Sequence, residues 1–484
     1  MSSETGPTGG RVDTVDDGAT DVAEETADAT AADPTTQPLP PYPSTLDHRL
    51  VHSLHYMRDP VRLLERGASE SDVFRVHLAG VGDWYQLCHP DHSKRVFLTE
   101  RDRFRKSDDF GIAFGDGLLT VEGEQWRDQR GTLQPLFVRE SVQGYADTMV
   151  EQVQRRVDGW QDGQRLDLQS EMTDMTLDVL FAAILGRELE LNGDEQVRRA
   201  AERLHDWFVP TSYALPDWVP TPARRRFAEG KETLQREADR LLAEAAEDPP
   251  SDPTEADDLM SLLVGLRESG LVDSGMLTDD DLRDQMVTII FAGHDTTTTS
   301  LTFALWALAE HPEVRERFQA EVDDLDGPPT AADVEAGRLS VTDRVVTETL
   351  RLFPPVYALP RVADDDVAFD GYRVPEGERL NVALHVIQRD DRYFDRPHTF
   401  DPSRWTPEFR QQLHDFAYAP FGGGPRICIG RQFALLEAKL ALATIGREYD
   451  LYYLGEEGRH GGPPLSPEMT LRMEPGQEFL VTER

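Results

Sequence analysis

The chain has 484 residues and a mass of 54.5 kDa, enough for one very large domain or about three modest ones. Acidic residues number 90 and basic residues 50, so the formal net charge is −40. A surface of this charge does not neutralise the phosphates of a nucleic acid, and the composition therefore argues against nucleic-acid binding.

The basic residues are mostly arginine, because only four of the 50 are lysines. Repulsion among many surface carboxylates destabilises a protein in dilute buffer, but added salt shortens the range of that repulsion. The composition therefore predicts a halophilic protein from a high-salt cytoplasm. The alternative is an ordinary acidic protein without adaptation to salt.

The sequence has two cysteines, Cys88 and Cys428, which are too few for a disulfide framework. Its first residues are acidic, whereas a secretory signal begins with a basic region followed by an apolar one. No window of about 20 residues is apolar enough to span a bilayer. We therefore expect a reduced, soluble, cytoplasmic protein with no integral membrane anchor.

Residues 1–40 differ in composition from the rest of the chain, with nine acidic side chains, one arginine and no aromatic residue. Such a segment buries too little apolar surface to offset the entropy lost on ordering. We predict a disordered acidic tail over residues 1–40 and one large domain over residues 41–484. Polar linkers are predicted within that domain at 247–258 and 323–330.

In residues 41–484 the apolar side chains mostly recur three and four positions apart, which is the period of a helix. The clearest helices are predicted at 145–157, 172–185, 279–310 and from residue 433 onward. Runs of β-branched and aromatic residues predict short strands at 73–78, 84–87, 367–374, 379–383 and 479–482. Because the strands do not alternate with helices, the sequence predicts a mainly α fold with small β-sheets, of the α+β class.

The helix predicted at 279–310 is about 48 Å long at 1.5 Å per residue, and residues 292–297 at its centre read AGHDTT. Glycine and threonine lower helix propensity, and a threonine hydroxyl can bond to the carbonyl one turn earlier. Taken alone, the segment fits a packed core helix with buried hydroxyl groups.

Glu348 and Arg351 lie three residues apart on one face of a later helix, which Pro354 and Pro355 end. An exposed ion pair of this kind contributes only a few tenths of a kcal/mol and occurs in many proteins. The pair is therefore weak evidence when taken alone.

Residues 421–430, FGGGPRICIG, are the most informative segment. Three glycines and a proline impose an unusual backbone path, and an amphipathic helix begins just after Cys428. The positive end of a helix dipole and its free N–H groups lower the pKa of a cysteine and favour the thiolate. A thiolate is an axial haem ligand where the task is O–O bond cleavage.

This segment resembles the haem-binding loop of the cytochrome P450 family, in which a Phe-x-x-Gly-x-Arg-x-Cys-x-Gly pattern surrounds the thiolate ligand. Every position is filled here, by Phe421, Gly424, Arg426, Cys428 and Gly430. Three further motifs match in the family's order: Trp-x-x-x-Arg at 126–130, AGHDTT at 292–297 and Glu-x-x-Arg at 348–351. One departure is QRDD at 388–391, where many members have His-Arg-Asp-Pro; we expect it to change the local turn only.

The resemblance implies a haem b cofactor (iron protoporphyrin IX) with Cys428 as the iron ligand. Phe421 would lie on the thiolate side of the haem, and Ala292 and Gly293 would leave room for haem and dioxygen. The propionates would be held by Trp126, Arg130, Arg361 and Arg426. Asp295 and Thr296 would deliver protons. Arg404, from a later Pro-x-Arg segment, would join the structural pair Glu348 and Arg351.

The resemblance implies a haem-thiolate monooxygenase that inserts one oxygen atom from O2 into an apolar small molecule, with electrons from a separate, ferredoxin-type donor. Two alternatives stay open: a haem-thiolate peroxygenase or isomerase, and a haem-binding sensor without turnover. Positions that line the family's substrate pocket are occupied here by Phe110, Ile112, Phe114, Leu118 and residues 356–359. Each of these could equally be an ordinary core residue.

Overall fold

The computed structural model describes residues 33–44, 49–107, 109–209, 212, 218–250, 252, 256, 258–269, 278–458 and 462–484. Residues 1–32 of the predicted tail lie outside these ranges, as do residues 251, 253–255 and 257 of the predicted linker. Residues 33–40 are described, and they are bound to the domain. The Arg373 backbone N–H donates to the Pro38 carbonyl and the Arg75 side chain to the Pro40 carbonyl, both at 2.9 Å. This part of the predicted tail is therefore ordered.

Helices make up most of the described chain. The α-helices are α1 (Arg49–Arg58), α2 (Pro60–Ala68), α3 (Pro90–Lys94), α4 (Asp109–Phe114), α5 (Gly123–Leu133), α6 (Arg139–Gly144), α7 (Ala146–Val157), α8 (Leu168–Ile184), α9 (Glu195–Arg203), α10 (Pro222–Glu247), α11 (Leu259–Ser269), α12 (Asp279–Glu310), α13 (Pro312–Asp323), α14 (Ala331–Glu335), α15 (Ser340–Leu352), α16 (Leu384–Ile387), α17 (Pro407–Gln412) and α18 (Arg431–Glu448). None of the described helices combines the length and apolar character needed to cross a bilayer.

The strands form small sheets beside the helices. They are β1 (Val73–Leu78), β2 (Gly82–Leu87), β3 (Phe104–Arg105), β4 (Arg165–Asp167), β5 (Leu359–Ala363), β6 (Val367–Phe369), β7 (Tyr372–Val374), β8 (Arg379–Val382), β9 (Tyr449–Tyr453), β10 (Leu465–Pro467), β11 (Leu471–Met473) and β12 (Glu478–Glu483). The largest sheet has the order β1-β2-β8-β5-β3, and only its β2–β8 pair is parallel. The remaining sheets are β4-β12-β9, β6-β7 and β10-β11. The predicted fold class, mainly α with small β-sheets, is confirmed.

One predicted strand is wrong in its extent. The run at 367–374 is two strands, β6 and β7, joined by a tight turn at Asp370 and Gly371. Both turn residues have positive φ, of 50° and 80°, which reverses the chain within two residues. Strand-like residues on both sides of the turn hide it in the sequence.

Helix α12 runs through the middle of the helical part and packs against α8, α10, α15 and α18. Its bounds match the predicted 279–310. Thr278 caps its first turn: the Thr278 hydroxyl accepts from the Asp281 N–H, and the Asp281 carboxylate accepts from the Thr278 N–H. Three aspartates, at 279–281, add favourable charge at the positive end of the helix dipole.

The threonines in the centre of α12 are bonded as the sequence predicts. The hydroxyls of Thr296, Thr297 and Thr298 donate to carbonyls one turn earlier, at 2.9–3.1 Å. Thr298 also shares a 2.7 Å hydrogen bond with Thr176 of α8. This bond across the helix interface is part of the compensation for the low helix propensity of the segment.

The Glu348 carboxylate is fully buried and joins its own helix to the segment 401–405. It pairs with Arg351 at 2.8 Å and with Arg404 at 3.0 Å. It also accepts hydrogen bonds from the Trp405 indole at 2.8 Å and the Asp401 backbone N–H at 2.9 Å. The three residues predicted from sequence, Glu348, Arg351 and Arg404, therefore meet in one network.

Gln388, the first residue of the unusual QRDD segment, is fully buried and fully bonded. Its amide nitrogen donates to the carbonyls of Leu350 and Arg351 at 2.9 and 3.0 Å. Its amide oxygen accepts from the Ala419 N–H at 3.0 Å. A glutamine thus links the end of α15 to the approach to the cysteine loop, so the departure at this position preserves a bonded connection.

We predict that Glu348→Ala destabilises the protein by about 3–5 kcal/mol, because it leaves the buried Arg351 guanidinium without its partner. Guanidinium-induced unfolding followed by circular dichroism measures the change. Glu335→Ala is the control, since the Glu335–Arg139 pair is exposed and contributes about 0–1 kcal/mol. Equal losses in the two variants would contradict the prediction.

Candidate active site

The loop at 421–430 presents Cys428 on a rigid turn directly before α18. The Cys428 N–H donates to the Phe421 carbonyl at 3.0 Å, and the Ile427 N–H donates to the Gly424 carbonyl at 3.1 Å. Gly424 has φ of 65°, and a Cβ there would collide with the Phe97 carbonyl. The glycine is therefore required both by the backbone and by its neighbour.

The Cys428 side chain is accessible, although protein surrounds its sulfur closely enough to affect its charge. Burial raises the pKa of the thiol above its usual value, while the Gly430 N–H, Arg130 and Arg431 act in the opposite direction. The N–H group at the helix terminus therefore lowers the pKa as the sequence predicts, but burial outweighs this effect for the side chain on its own. A bound metal cation would reverse the balance, because a coordinating thiol is deprotonated.

Helix α12 has an accessible patch at its otherwise buried centre. Ala292 is exposed, and Gly293 and Thr296 are half-buried, whereas His294 and Asp295 are buried. Gly293 packs on α8, because a Cβ there would lie 3.0 Å from a Leu180 methyl group. Accessible side chains in the middle of a core helix indicate an internal cavity along this face of α12.

Three cations gather beside the cysteine loop. The Arg426 guanidinium lies 4.6 Å from the centre of the Trp126 ring and donates to the Val121 carbonyl at 3.1 Å. The Arg361 guanidinium lies 5.4 Å from the Phe97 ring and donates to its neighbour's carbonyl at 2.7 Å. The Lys106 ammonium donates to the Leu119 carbonyl. Lys106 is absent from the sequence-based prediction because a lone lysine carries no motif.

The three cations have too little negative charge around them. Burial lowers the pKa of Arg361 to about 10 and the pKa of Lys106 well below its usual value. Repulsion adds to both shifts, because Arg426 acts on each of them and Arg361 acts on Lys106. Glu122 is the carboxylate that opposes these shifts, and its ion pair with Arg426 is long, at 3.7 Å. The cluster therefore has the charge of an anion site.

Arg130 does not belong to this cluster. Its guanidinium donates to the Ile427 carbonyl at 2.7 Å, next to Cys428. Burial lowers its pKa, and Cys428 acts in the opposite direction. Of the four residues predicted to hold propionates, the structure brings Trp126, Arg361 and Arg426 together and places Arg130 under the cysteine loop.

The predicted acid–alcohol pair is split between two faces of α12. The Thr296 hydroxyl donates to the Ala292 carbonyl at 3.0 Å on the accessible face. The Asp295 carboxylate is buried on another face, where it accepts from the Thr470 hydroxyl at 2.5 Å and pairs with Arg472. The Asp295 carboxylate and the Thr296 hydroxyl are therefore not in contact, although the two residues are adjacent in the sequence.

Aromatic rings pack beside the accessible face of α12. Phe114 lies 4.6 Å from Phe291 between ring centres, and Phe208 lies 5.4 Å from Phe291. Phe110 joins through Phe208 at 5.8 Å. The side chain of Ile112 lies outside the described part of the chain. Within 356–359, Tyr357 is buried and the other three residues are half-buried. The Tyr357 hydroxyl donates to the Glu468 carbonyl at 3.1 Å.

Comparison with known proteins decides the family. The family model for cytochrome P450 matches residues 65–477. The chain belongs to the cytochrome P450 family. Pentalenene oxygenase of Streptomyces avermitilis is 31% identical over 81% of this chain and 87% of its own length. Cyclooctat-9-en-7-ol 5-monooxygenase of Streptomyces melanosporofaciens is 29% identical over 83% and 87%.

Solved structures agree with this assignment. The crystal structure of the cytochrome P450DA heme domain has a TM-score of 0.77 and 27% identity, over 93% of this chain and 98% of that one. A retinoic acid bound cyanobacterial CYP120A1 has a TM-score of 0.78 and shares the fold at 24% identity. The protein is a cytochrome P450 monooxygenase, and the cofactor of this family is haem.

The residues of the site fit a haem. The accessible Cys428 offers a soft ligand for iron, and the Lys106, Arg361 and Arg426 cluster offers counter-charges for two propionates. The apolar α12 face and the Phe421 ring offer surface for the porphyrin. Both the charge and the chemistry of the donor set match the group.

We predict that Lys106→Gln has opposite effects on the two forms of the protein. It removes repulsion within the cation cluster, so the haem-free protein should gain thermal stability. It also removes a counter-charge for the propionates, so haem loss should accelerate roughly tenfold. The melting temperature of the haem-free protein and the rate of haem transfer to excess apomyoglobin measure the two effects.

Lys94→Gln is the matched control, because among the described residues Lys94 has no ion pair and lies on α3. The control should change neither quantity. Equal rates of haem loss in the two variants would contradict the role of Lys106.

Proposed function

We propose that this P450 hydroxylates an apolar small molecule with O2, using electrons from a separate ferredoxin-type protein. The proposal is carried by one observation: an accessible cysteine on a rigid loop lies beside buried cations that lack enough counter-charge. A thiol ligand and an anion site in one region are what a haem with two propionates requires. Bound there, a haem iron with a thiolate ligand supplies cleavage of the O–O bond of dioxygen.

Each residue predicted from sequence then has a role. Cys428 would ligate the iron, Phe421 would limit water near the sulfur, and Ala292 and Gly293 would leave room for haem and dioxygen. The propionates are held by Trp126, Arg361 and Arg426, with Lys106 as a further counter-charge. Arg130 contributes through the loop, because its bond to the Ile427 carbonyl fixes the residue that precedes the ligand. Thr296 and Asp295 handle protons.

Thr296 is the candidate proton donor on the accessible face of α12. Its side chain is on the accessible patch of α12, and its hydroxyl is bonded only to the Ala292 carbonyl among the described residues. A hydroxyl in that position can accept a proton from one side while donating to the other. Asp295 is buried and paired with Arg472, and we assign it to proton handling as a carboxylate that can exchange a proton with the accessible face of this helix.

We propose an apolar substrate because the side chains around the site are apolar. The Phe110, Phe114, Phe208 and Phe291 rings form a continuous wall beside α12. The two Streptomyces relatives carry names that refer to pentalenene and cyclooctat-9-en-7-ol. Both observations favour a hydrocarbon-rich ligand, held chiefly by burial of apolar surface.

A negatively charged electron donor fits the surface near Cys428. Arg127 and Arg431 are exposed there, and neither has an ion pair among the described residues. Arg431 is close enough to lower the pKa of Cys428. In a chain with 90 acidic and 50 basic residues, these unpaired cations favour an acidic partner.

Cytoplasmic location and adaptation to high salt stay predictions from the sequence composition.

Spectroscopy of a cysteine variant tests the assignment directly. Wild-type protein, reconstituted with hemin, reduced and exposed to carbon monoxide, should show the red-shifted Soret band of thiolate ligation. Cys428→Ser should lose this band, because serine does not supply a thiolate. Cys88→Ala is the matched control: Cys88 is the other cysteine, it is buried, and the band should persist in this variant.

Activity assays with the wild-type holoprotein distinguish the three candidate functions: monooxygenase, peroxygenase and sensor. Product formation with a ferredoxin, its reductase and NADPH supports the monooxygenase. Turnover with hydrogen peroxide alone supports a peroxygenase, and a spectral shift without any product supports a sensor. Pentalenene, dodecanoic acid and retinoic acid serve as initial apolar probes. Absence of the thiolate band in the wild type would contradict the whole proposal.

We predict that Thr296→Ala diverts electrons from product to hydrogen peroxide, lowering product per NADPH roughly tenfold. The missing hydroxyl removes a proton donor from the accessible face of α12. Thr299→Val is the control, because the Thr299 hydroxyl is buried and has no hydrogen-bond partner within the described structure. Unchanged coupling in Thr296→Ala, or an equal loss in Thr299→Val, would contradict the role of Thr296.

A further inference from the structure

The Asp295 carboxylate has three polar neighbours from two distant parts of the chain. Thr470 and Arg472, beside and within β11, bind its two oxygens. The third neighbour is His205, from the 3-10 helix Leu204–Phe208, with Nε2 3.6 Å from the Asp295 carboxylate. Asp295 is 1% exposed, so these side chains replace solvent around its charge.

His205 is unusual because both of its ring nitrogens are buried without a hydrogen-bond partner in the described structure. Its ring lies 5.0 Å from Phe291 and 6.4 Å from His294 between ring centres. Leaving such groups unbonded is unfavourable, so they mark either strain or an interaction made in another state. The distance of 3.6 Å to Asp295 is slightly longer than a hydrogen bond.

The charges around this pair explain why His205 remains neutral. Burial lowers the pKa of His205 to about 3, Asp295 raises it, and Arg472 and His294 lower it. For Asp295, burial raises the pKa, but His205, Arg472, His294 and the Thr470 hydroxyl together hold it below its usual value. Arg472 already neutralises Asp295, which leaves no net charge to attract a proton to His205.

From this arrangement we infer that Arg472 is the positioning residue for Asp295, and that His205 is a reserve partner that takes over the carboxylate when Arg472 is lost. The inference rests on the proposed role of Asp295 in proton handling. A movement of a few tenths of an ångström brings Nε2 within hydrogen-bond distance of Asp295. Thr470 keeps one carboxylate oxygen in place during the exchange.

Other groups around the site do not substitute for His205. His294 is held by a 2.6 Å hydrogen bond between Nδ1 and the Ile290 carbonyl of its own helix. Glu468 and Glu202 are influenced by Arg472, but they are carboxyl groups whose pKa is raised by burial, and they would repel Asp295. His294 Nε2 and Arg472 Nε also have no hydrogen-bond partner in the described structure, but His205 is the histidine whose nitrogen lies within 4 Å of the Asp295 carboxylate, at 3.6 Å.

Four variants test the inference: Arg472→Lys, Arg472→Leu, His205→Phe and the double variant Arg472→Leu/His205→Phe. Phenylalanine suits position 205 because the ring already packs against Phe291. Arg165→Leu is the matched control, since the Arg165–Glu478 pair is exposed. Circular dichroism and the reduced CO spectrum verify that each holoprotein is folded and carries its haem.

The first measurement is the pKa of His205 by nitrogen-15 NMR in the reduced, CO-bound holoprotein, assigned with His205→Phe. Arg472→Leu should raise this pKa by about 2 units or more, because the unpaired Asp295 then stabilises the protonated ring. Arg472→Lys and Arg165→Leu should leave it within about half a unit.

The second measurement is the fraction of NADPH electrons released as hydrogen peroxide, without added substrate, driven by a plant-type [2Fe–2S] ferredoxin and its reductase. Arg472→Lys and His205→Phe should match the wild type. Arg472→Leu should raise the peroxide fraction about threefold, and the double variant should exceed the product of the two single effects. That excess distinguishes a reserve partner from two independent structural residues.

An unchanged His205 pKa in Arg472→Leu, or effects that simply multiply in the double variant, would overturn the inference. A failure of the proposed function looks different: the wild type would consume no oxygen with the ferredoxin system. The His205 pKa would still decide the relation between Arg472, His205 and Asp295 in that case.

Discussion

A single buried carboxylate, that of Glu348, determines where the cysteine loop can lie. Its charge has to be compensated inside the protein, and Arg351, Arg404 and the Trp405 indole do so at 2.8–3.0 Å. From Arg351 the connection continues through the Gln388 amide to the Ala419 N–H, and the Ala419 carbonyl accepts from Gly422 at 2.9 Å. The ligand loop is thus anchored to α15 by buried polar bonds, and its position does not depend on the accessible side where a cofactor binds.

Some buried charges in this protein are compensated by a partner of opposite sign, and others are not. Around Glu348 and around Asp295, each carboxylate has a guanidinium partner, so these clusters are balanced. Beside the cysteine loop, Lys106, Arg361 and Arg426 share mainly Glu122. Burial lowers the pKa of Lys106 and Arg361, and repulsion among the cations adds to both shifts. Because buried charge without compensation is costly, the clustering of three such cations at one place indicates a site for an external anion. The imbalance points to the propionates more directly than any one of the three residues does.

The sequence allowed the long helix and the loop to be predicted well, because both carry local signals. The spacing of apolar residues marks α12 over 279–310, and the glycines and Cys428 mark the loop. Lys106 and the Thr470–Arg472 pair were missed, since their roles come from tertiary contact. Thr470 and Arg472 are 175 and 177 residues from Asp295, and β10 and β11 are three residues each, too short for a visible period. Arg130 was predicted from its spacing to Trp126, yet its bond goes to the Ile427 carbonyl, because spacing on a helix specifies a face and not a partner.

Helix geometry explains why the acid and the alcohol of α12 are separated. Successive residues of a helix point about 100° apart, so the side chains of Asp295 and Thr296 leave α12 in different directions. Thr296 accordingly lies on the accessible face of α12. Asp295 lies on another face, among Arg472, Thr470 and His205. A proton that passes between them has to travel around the helix, through a bridging water or a movement of the Asp295 side chain. In the proposed proton transfer, the groups that hold Asp295 are therefore as important as the two motif residues.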